Sequence, residues 1–213
     1  MLLVDFKGYF DSIAHGHVEL MLREAVDDPG ALDLALRLLA LQGDRGLGLG
    51  CEPNQIEAVA FPSRLDHYVC EVLRPEAYGR YMDDAYMIDP SKERLAYCLA
   101  EFRGMAEAMG LELNPKKTRI VRISKGFAFL KRRWGYTATG RVLVRPARES
   151  VARERRKLKR LAGMAAAGEV PAEAVERSYM SWRGQVARLD AHRTVLSMDR
   201  LYKTLMGDME DAR

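Results

Sequence analysis

The sequence predicts an α+β protein, and three observations in its 213 residues carry that expectation. Over the first two-thirds, short apolar strand-like runs alternate with amphipathic helical stretches. Everything after about residue 148 reads as helix, broken near Gly168–Pro171 and Leu189–His192. The composition, 48% hydrophobic and 30% charged, is that of a chain with a core rather than a disordered one. No uncharged apolar run approaches the roughly 20 residues that span a bilayer, so no membrane partner is expected. Met1-Leu2-Leu3-Val4 meets Asp5 too early for the core of a signal peptide. Cys51, Cys70 and Cys98, odd in number and widely spaced, indicate neither a disulfide framework nor a zinc site. A reducing, cytoplasmic compartment follows as the expectation.

Leu2-Leu3-Val4 is a short strand, and Phe10 to Glu24 a helix that Asp11 is placed to cap. Asp27-Asp28-Pro29-Gly30 reads as a turn and a cap for a second helix, Ala31 to Gln42. Four glycines between Gly43 and Gly50 exclude a helix interior and predict a loop where backbone approaches a ligand closely. Pro53 opens a long helix to about Leu73, bent near Pro62. Tyr78 to Asp89 reads as two strands around a tight turn at Asp83-Asp84. Lys92 to Met109 is an amphipathic helix closed by Gly110. Short strands are expected at 111–113, 119–123, 127–130, 134–136 and 141–144, then helices at 148–167, 172–189 and 194–207. The domain boundary is placed near 145–148.

A net charge of +4 conceals segregation. Between Pro115 and Arg160 stand 17 Lys/Arg against two acids, whereas residues 1–114 carry 10 basic and 20 acidic groups. A basic block after an acidic one suits a chain in which one part holds a polyanion and another divalent cations. Asp5 ends the first strand, and Asp83-Asp84 sit in the hairpin. If that hairpin pairs beside the first strand, three carboxylates meet at one end of a sheet. Three clustered anions repel unless cations neutralise them. Hard oxygen ligands favour two Mg²⁺ or Mn²⁺ ions, placed to serve an in-line phosphoryl displacement.

Asp5-Phe6-Lys7-Gly8-Tyr9-Phe10-Asp11-Ser12-Ile13 resembles the first palm motif of bacterial reverse transcriptases of the group II intron and retroelement kind. Tyr81-Met82-Asp83-Asp84 is similar to their catalytic hairpin. Gly46-Leu47-Gly48-Leu49-Gly50-Cys51-Glu52-Pro53-Asn54-Gln55 resembles their glycine loop, and Gly110 to Thr118 the motif after their third palm helix. Gly126-Phe127-Ala128-Phe129-Leu130, through Trp134, is similar to their primer-gripping turn. The resemblance implies a ferredoxin-like palm over 1–146, an antiparallel sheet with helices on one face, followed by a small helical thumb over 147–213. It implies RNA-directed DNA synthesis, with an RNA template, a DNA primer and deoxynucleotides as partners.

On that resemblance Asp5 and Asp83 bridge the two ions and Asp84 supports them. Phe6, Phe10, Gly50, Gln55 and Tyr81 border the nucleotide or the primer end. Phe10 is a steric gate whose ring excludes a 2′-hydroxyl by clash. Lys117 neutralises or protonates departing pyrophosphate. Lys116, Lys125, Lys131, Arg132, Arg133, Arg153, Arg156, Lys157, Lys159 and Arg160 track nucleic-acid phosphates. Phe127, Phe129 and Trp134, interleaved with them, stack on or pack beneath the strand.

Two departures from the family pattern shape the expectation. Family members carry a basic fingers region before the first palm motif, whereas Met1 stands four residues before Asp5. A fragment, poorly active without an upstream fingers segment or accessory protein, is therefore expected. The glycine loop reads Leu49-Gly50 followed by Asn54-Gln55, closer to the diversity-generating retroelement form than to the intron form, which suggests low fidelity. Two other classes stand beside the polymerase: a non-catalytic remnant that grips nucleic acid, and a palm-fold nucleotidyl cyclase. All three acids being present argues against the first, and the basic tail argues against the second.

Overall fold

The computed structural model describes residues 1–211 and divides into two compact units, Met1–Val121 and the chain from Arg122 onward. It is an α+β structure with two small antiparallel sheets. In the first unit the order of elements is β1 (Leu2–Asp5), α1 (Tyr9–Ser12), α2 (His15–Ala25), α3 (Pro29–Ala40), α4 (Glu52–Ala60), α5 (Ser63–Tyr68), β2 (Ala77–Tyr81), β3 (Asp84–Ile88), α6 (Lys92–Ala108) and β4 (Arg119–Ile120). The four strands form one sheet in the order β2-β3-β1-β4, the arrangement of a split βαβ unit repeated as βαββαβ.

Register explains which residues face the core. Leu2 lies opposite Met87 and Val4 opposite Ala85, so these four share one face. They join a single cluster with Leu65 and Val69 below them and with Leu95, Cys98, Phe102 and Ala106 along α6. Those α6 positions recur at three- and four-residue steps, which is why the helix presents one apolar stripe. Phe6 continues the alternation of Leu2 and Val4; its ring stacks on Phe102 with centroids 5.8 Å apart. Leu3 and Asp5 therefore point to the opposite face.

Several boundaries differ from the sequence expectation. The first predicted helix is two, because Ile13 and Ala14 take extended backbone between α1 and α2. Asp11 is inside α1 and caps nothing; Gly8, at φ 55°, precedes the helix without a side-chain cap. Asp28 does cap α3, accepting from Ala31 N–H at 2.7 Å. The predicted helix after Pro53 is α4, then α5, then one π-helical turn at Val69–Leu73. The 111–113 segment is not a strand; Leu113 makes only an isolated bridge to Phe6. Among the described residues no helix is long and apolar enough to cross a membrane. The three cysteines are free thiols.

The second unit holds β5 (Phe127–Phe129), β6 (Arg132–Tyr136), β7 (Val142–Pro146), α7 (Arg148–Ala166), α8 (Ala172–Val186) and α9 (His192–Asp211). The expected boundary near 145–148 falls inside this unit, and the division lies at Val121/Arg122. The reason is Asp190. Its carboxylate accepts from Val144 N–H at 2.9 Å and from Arg141 at 2.7 Å, while its own N–H donates to the Val144 carbonyl at 2.8 Å. The sheet is thus tied to the helices that follow it.

The helical core centres on Tyr179, fully buried and stacked on Tyr202 at 4.6 Å. Asp199 accepts from both the Arg183 guanidinium and the Tyr179 hydroxyl, which in that order hold its carboxyl below the usual range. The Val144 N–H, with Arg141, does the same for Asp190. Both acids bind a proton more weakly when folded than when unfolded. Their contribution is therefore present above pH about 4 and is lost as pH falls through their lowered folded values. Both tryptophans, Trp134 and Trp182, lie in this unit, so their fluorescence reports on it alone. Acid titration should show the unit losing stability below about pH 4, and Asp199→Asn should flatten that dependence. An unchanged acid profile in the variant would remove Asp199 from the explanation.

Candidate active site

β1 ends with Asp5 because the chain turns there: Asn114 N–H donates to the Asp5 carbonyl at 2.7 Å, and Phe6 N–H to the Asp83 carbonyl at 3.2 Å. Asp5 lies directly opposite Asp84 across the β1–β3 ladder, so both side chains leave the same face, away from α6. Tyr81, 63% exposed, is opposite Asp84 on the other side and shares that face. Met82 and Asp83 form the tight turn of the hairpin, Met82 at φ 55°. The turn stands one residue earlier than expected, and Asp84 begins β3.

Asp5 is 4% exposed. One of its oxygens, Oδ1, accepts from Lys117 Nζ at 2.7 Å; the other, Oδ2, is buried with no partner. The hydrogen bond to Asp5 comes first among the causes that hold the Lys117 ammonium above its usual range, followed by the charges of Asp5, Asp84 and Asp83. All three carboxylates therefore act on one ammonium. Among the described residues no three His, Cys, Asp or Glu side chains are gathered around a common ion position.

Sequence reasoning missed what fixes the hairpin. Arg80 faces α5, and its side chain is only 8% exposed. Its guanidinium pairs with Asp66 at 2.6 Å, donates to the Met82 carbonyl at 3.1 Å, and donates to the Val59 carbonyl at 2.9 Å. Tyr78 also donates to Asp66. The turn that carries Asp83 is therefore bolted to α4 and α5 through one residue. No local sequence signal marks this residue, because its partner Asp66 lies 14 residues earlier in the chain.

The glycine loop is likewise held by side chains outside the motif. Both ring nitrogens of buried His15 face carbonyls, Gly43 O at 2.6 Å and Gly46 O at 2.7 Å. Gln42 accepts from Gly48 N–H, and Asn54, itself 3% exposed, donates to both Gln42 and the Gly48 carbonyl. Gly46 and Leu47 N–H donate to the carbonyls of Ile13 and Phe10, which attaches the loop to the segment after Asp5. Gln55, expected to cap or contact a ligand, is exposed on α4, which has no side-chain cap; its neighbour Asn54 instead ties the loop through Gln42 and the Gly48 carbonyl. Gly50 takes φ 90° at the exposed end of the loop, a conformation that favours glycine.

The remaining expected residues differ in where the structure places them. Phe6 is a correction: its ring is 2% exposed, stacked between Tyr9 and Phe102, and unavailable to a nucleotide. Phe10 is half-buried in α1 with its ring edge-on to Tyr9. Lys116, Lys125, Lys131, Arg132, Arg133, Arg153, Arg156, Lys157, Lys159 and Arg160 are all exposed. Arg153, Arg156, Lys157 and Arg160 fall on one face of α7, opposite the buried Leu158, Ala162 and Ala165. Phe127 and Trp134 stack on each other at 6.5 Å, and Trp134 Nε1 donates to the Phe129 carbonyl. These aromatics are half-buried among themselves and are not free platforms. No protein-family model and no curated protein sequence matches the chain.

Proposed function

We propose that this chain carries out RNA-directed DNA synthesis, transferring a deoxynucleotide to a primer 3′-hydroxyl on an RNA template with release of pyrophosphate. The observation that carries this reading is Asp5. It stands opposite Asp84 and beside the Asp83 turn, with one carboxylate oxygen buried and unpartnered. A buried carboxylate oxygen without a donor is costly unless something positive meets it. Oxygen donors of this kind are what Mg²⁺ or Mn²⁺ takes, although the three carboxylates do not converge on one ion position among the described residues. Asp5 and Asp83 would hold two such ions with Asp84 in support, and when bound they supply charge neutralisation at the attacking and leaving oxygens.

The chain's own residues do the rest. Lys117 holds a proton at Nζ next to the carboxylates and is positioned to give it to a departing phosphate oxygen. Phe10, anchored in α1 and bonded through its carbonyl to the glycine loop, supplies a rigid edge against a 2′-hydroxyl. The exposed bases of α7 supply phosphate contacts for a template–primer duplex.

A second reading, a remnant that grips nucleic acid without chemistry, draws on the Lys117–Asp5 pair, which takes an oxygen an ion would need. Titration of the chain with Mn²⁺ in the presence of a deoxynucleotide, followed by electron paramagnetic resonance, separates the two. The polymerase reading expects two ions per chain, with Asp5→Asn and Asp83→Asn each removing at least one. Mn²⁺ that stays free, or binds regardless of both substitutions, favours the remnant.

A further inference from the structure

His15 opens α2 and is 7% exposed, packed against the glycine loop. Its backbone N–H donates to the Asp44 carbonyl at 3.0 Å, and Ala14 bridges Arg45. The imidazole spans the turn Gly43-Asp44-Arg45-Gly46, with Nδ1 2.6 Å from the Gly43 carbonyl oxygen and Nε2 2.7 Å from that of Gly46. A carbonyl oxygen accepts and cannot donate. A neutral imidazole has one N–H and one lone pair, so it satisfies one of these contacts and sets a lone pair against an oxygen at the other. The imidazolium, with two N–H groups, satisfies both. Turning the ring over offers no alternative. Ring carbons would then stand near those positions, well inside the roughly 3.3–3.6 Å of a C–H···O contact.

An enclosed cation needs an opposite charge, and α4 supplies one. Glu57 is 7% exposed, and its Oε2 is buried with no hydrogen-bond partner. Burial pushes the Glu57 carboxyl above its usual range, and the charge of His15 acts in the opposite direction. The other charged groups on the elements around the ring are engaged elsewhere or in water. Asp11 of α1, Asp44 and Arg45 of the loop and Glu52 of α4 are exposed. Glu19 and Glu24 of α2 pair with Arg23 and Arg64, and the His17 ring meets the Met109 carbonyl. The N-terminus of α2 works against a positive ring, and Ala14 offers no side-chain acceptor there. One helix terminus is a weak influence beside two short charge-assisted hydrogen bonds.

We propose that His15 is a positively charged anchor of the glycine loop, an imidazolium held between the Gly43 and Gly46 carbonyls with Glu57 as its counter-charge, and that the loop is released when the ring loses its second proton. His15 is a positioning residue, acting through the loop backbone. The direction follows from linkage: the anchored loop binds one proton more than the released loop, so acid favours anchoring and rising pH opposes it. The inference rests on the loop and its anchors alone and holds whether or not the carboxylate site is catalytic.

Nitrogen-15 NMR of the full chain at neutral pH is expected to show both His15 ring nitrogens protonated. Amide deuterium exchange, corrected for its intrinsic dependence on pH, reads the loop itself. Protection of Gly46 and Leu47, whose N–H groups donate to the Ile13 and Phe10 carbonyls, should fall about tenfold or more between about pH 6 and about pH 9, the effect of losing one charge-assisted hydrogen bond. Protection of the β1 amides should hold over the same range. His15→Gln keeps a donor but never a charge, and should show weak loop protection that no longer varies with pH. Should that variant fold poorly, Glu57→Gln carries the test: it keeps the shape, removes the counter-charge, and should move the loss of protection to lower pH. His17→Gln, which alters an exposed histidine on the same helix, should leave the profile as it is. An unprotonated His15 ring nitrogen at neutral pH would overturn the proposal. So would loop protection that does not vary with pH in the unmodified chain, or a Glu57→Gln profile that matches it.

Discussion

Asp83→Asn is expected to lower RNA-templated deoxynucleotide incorporation about a thousandfold or more relative to the unmodified chain. Ion-mediated charge stabilisation contributes several kcal/mol to a phosphoryl transition state, and each 1.36 kcal/mol is about a factor of ten in rate. The substitution keeps the shape of the turn, whose backbone is held through Arg80 at Met82 and through Phe6 at the Asp83 carbonyl. Stability should therefore not fall. In metal-free buffer it should rise slightly, because one of three mutually repelling carboxylates has gone. Primer extension with Mn²⁺, paired with thermal melting in chelator, checks both halves. Incorporation within tenfold of the unmodified chain would mean that the carboxylates are not its chemistry.

Arg80→Ala should be the most damaging single change to the first unit, costing about 3–5 kcal/mol in urea unfolding. The guanidinium is nearly enclosed and satisfies Asp66 and two backbone carbonyls, so its removal strands an acid and leaves Met82 O and Val59 O without their donor. Arg80→Met with Asp66→Leu removes both charges together and should recover most of the lost stability, since a buried pair is often replaceable by apolar groups. Incorporation should stay low in the double variant because the Met82 carbonyl still lacks its donor. Recovery of both properties would show that Arg80 only stabilises and does not position the turn.

The carboxylates were legible from sequence because their signals are local. A strand of alternating faces ends in one acid, and a four-residue turn between two apolar runs holds the others. Phe6 was equally legible and was misassigned: counting by twos from Leu2 through Val4 places it on the core face, opposite Asp5. Arg80 was not legible, since its partner is 14 residues earlier and meets it only when α5 packs beneath β2. The ties of the glycine loop had the same origin. His15 reaches residues 28 and 31 positions later, a separation no periodicity encodes. The unit boundary was hidden for a related reason. Composition changes where helices begin, near residue 148, but Asp190 joins sheet to helices across 46 residues.

The anchored glycine loop has a thermodynamic consequence for whatever it meets. Its conformational freedom, worth about 1–2 kcal/mol per residue, was surrendered when the first unit folded. A ligand arriving there has little left to order. Its association should carry a small entropic penalty, and the amides of Gly46, Leu47 and Gly48 should already exchange slowly with solvent deuterium in the free protein.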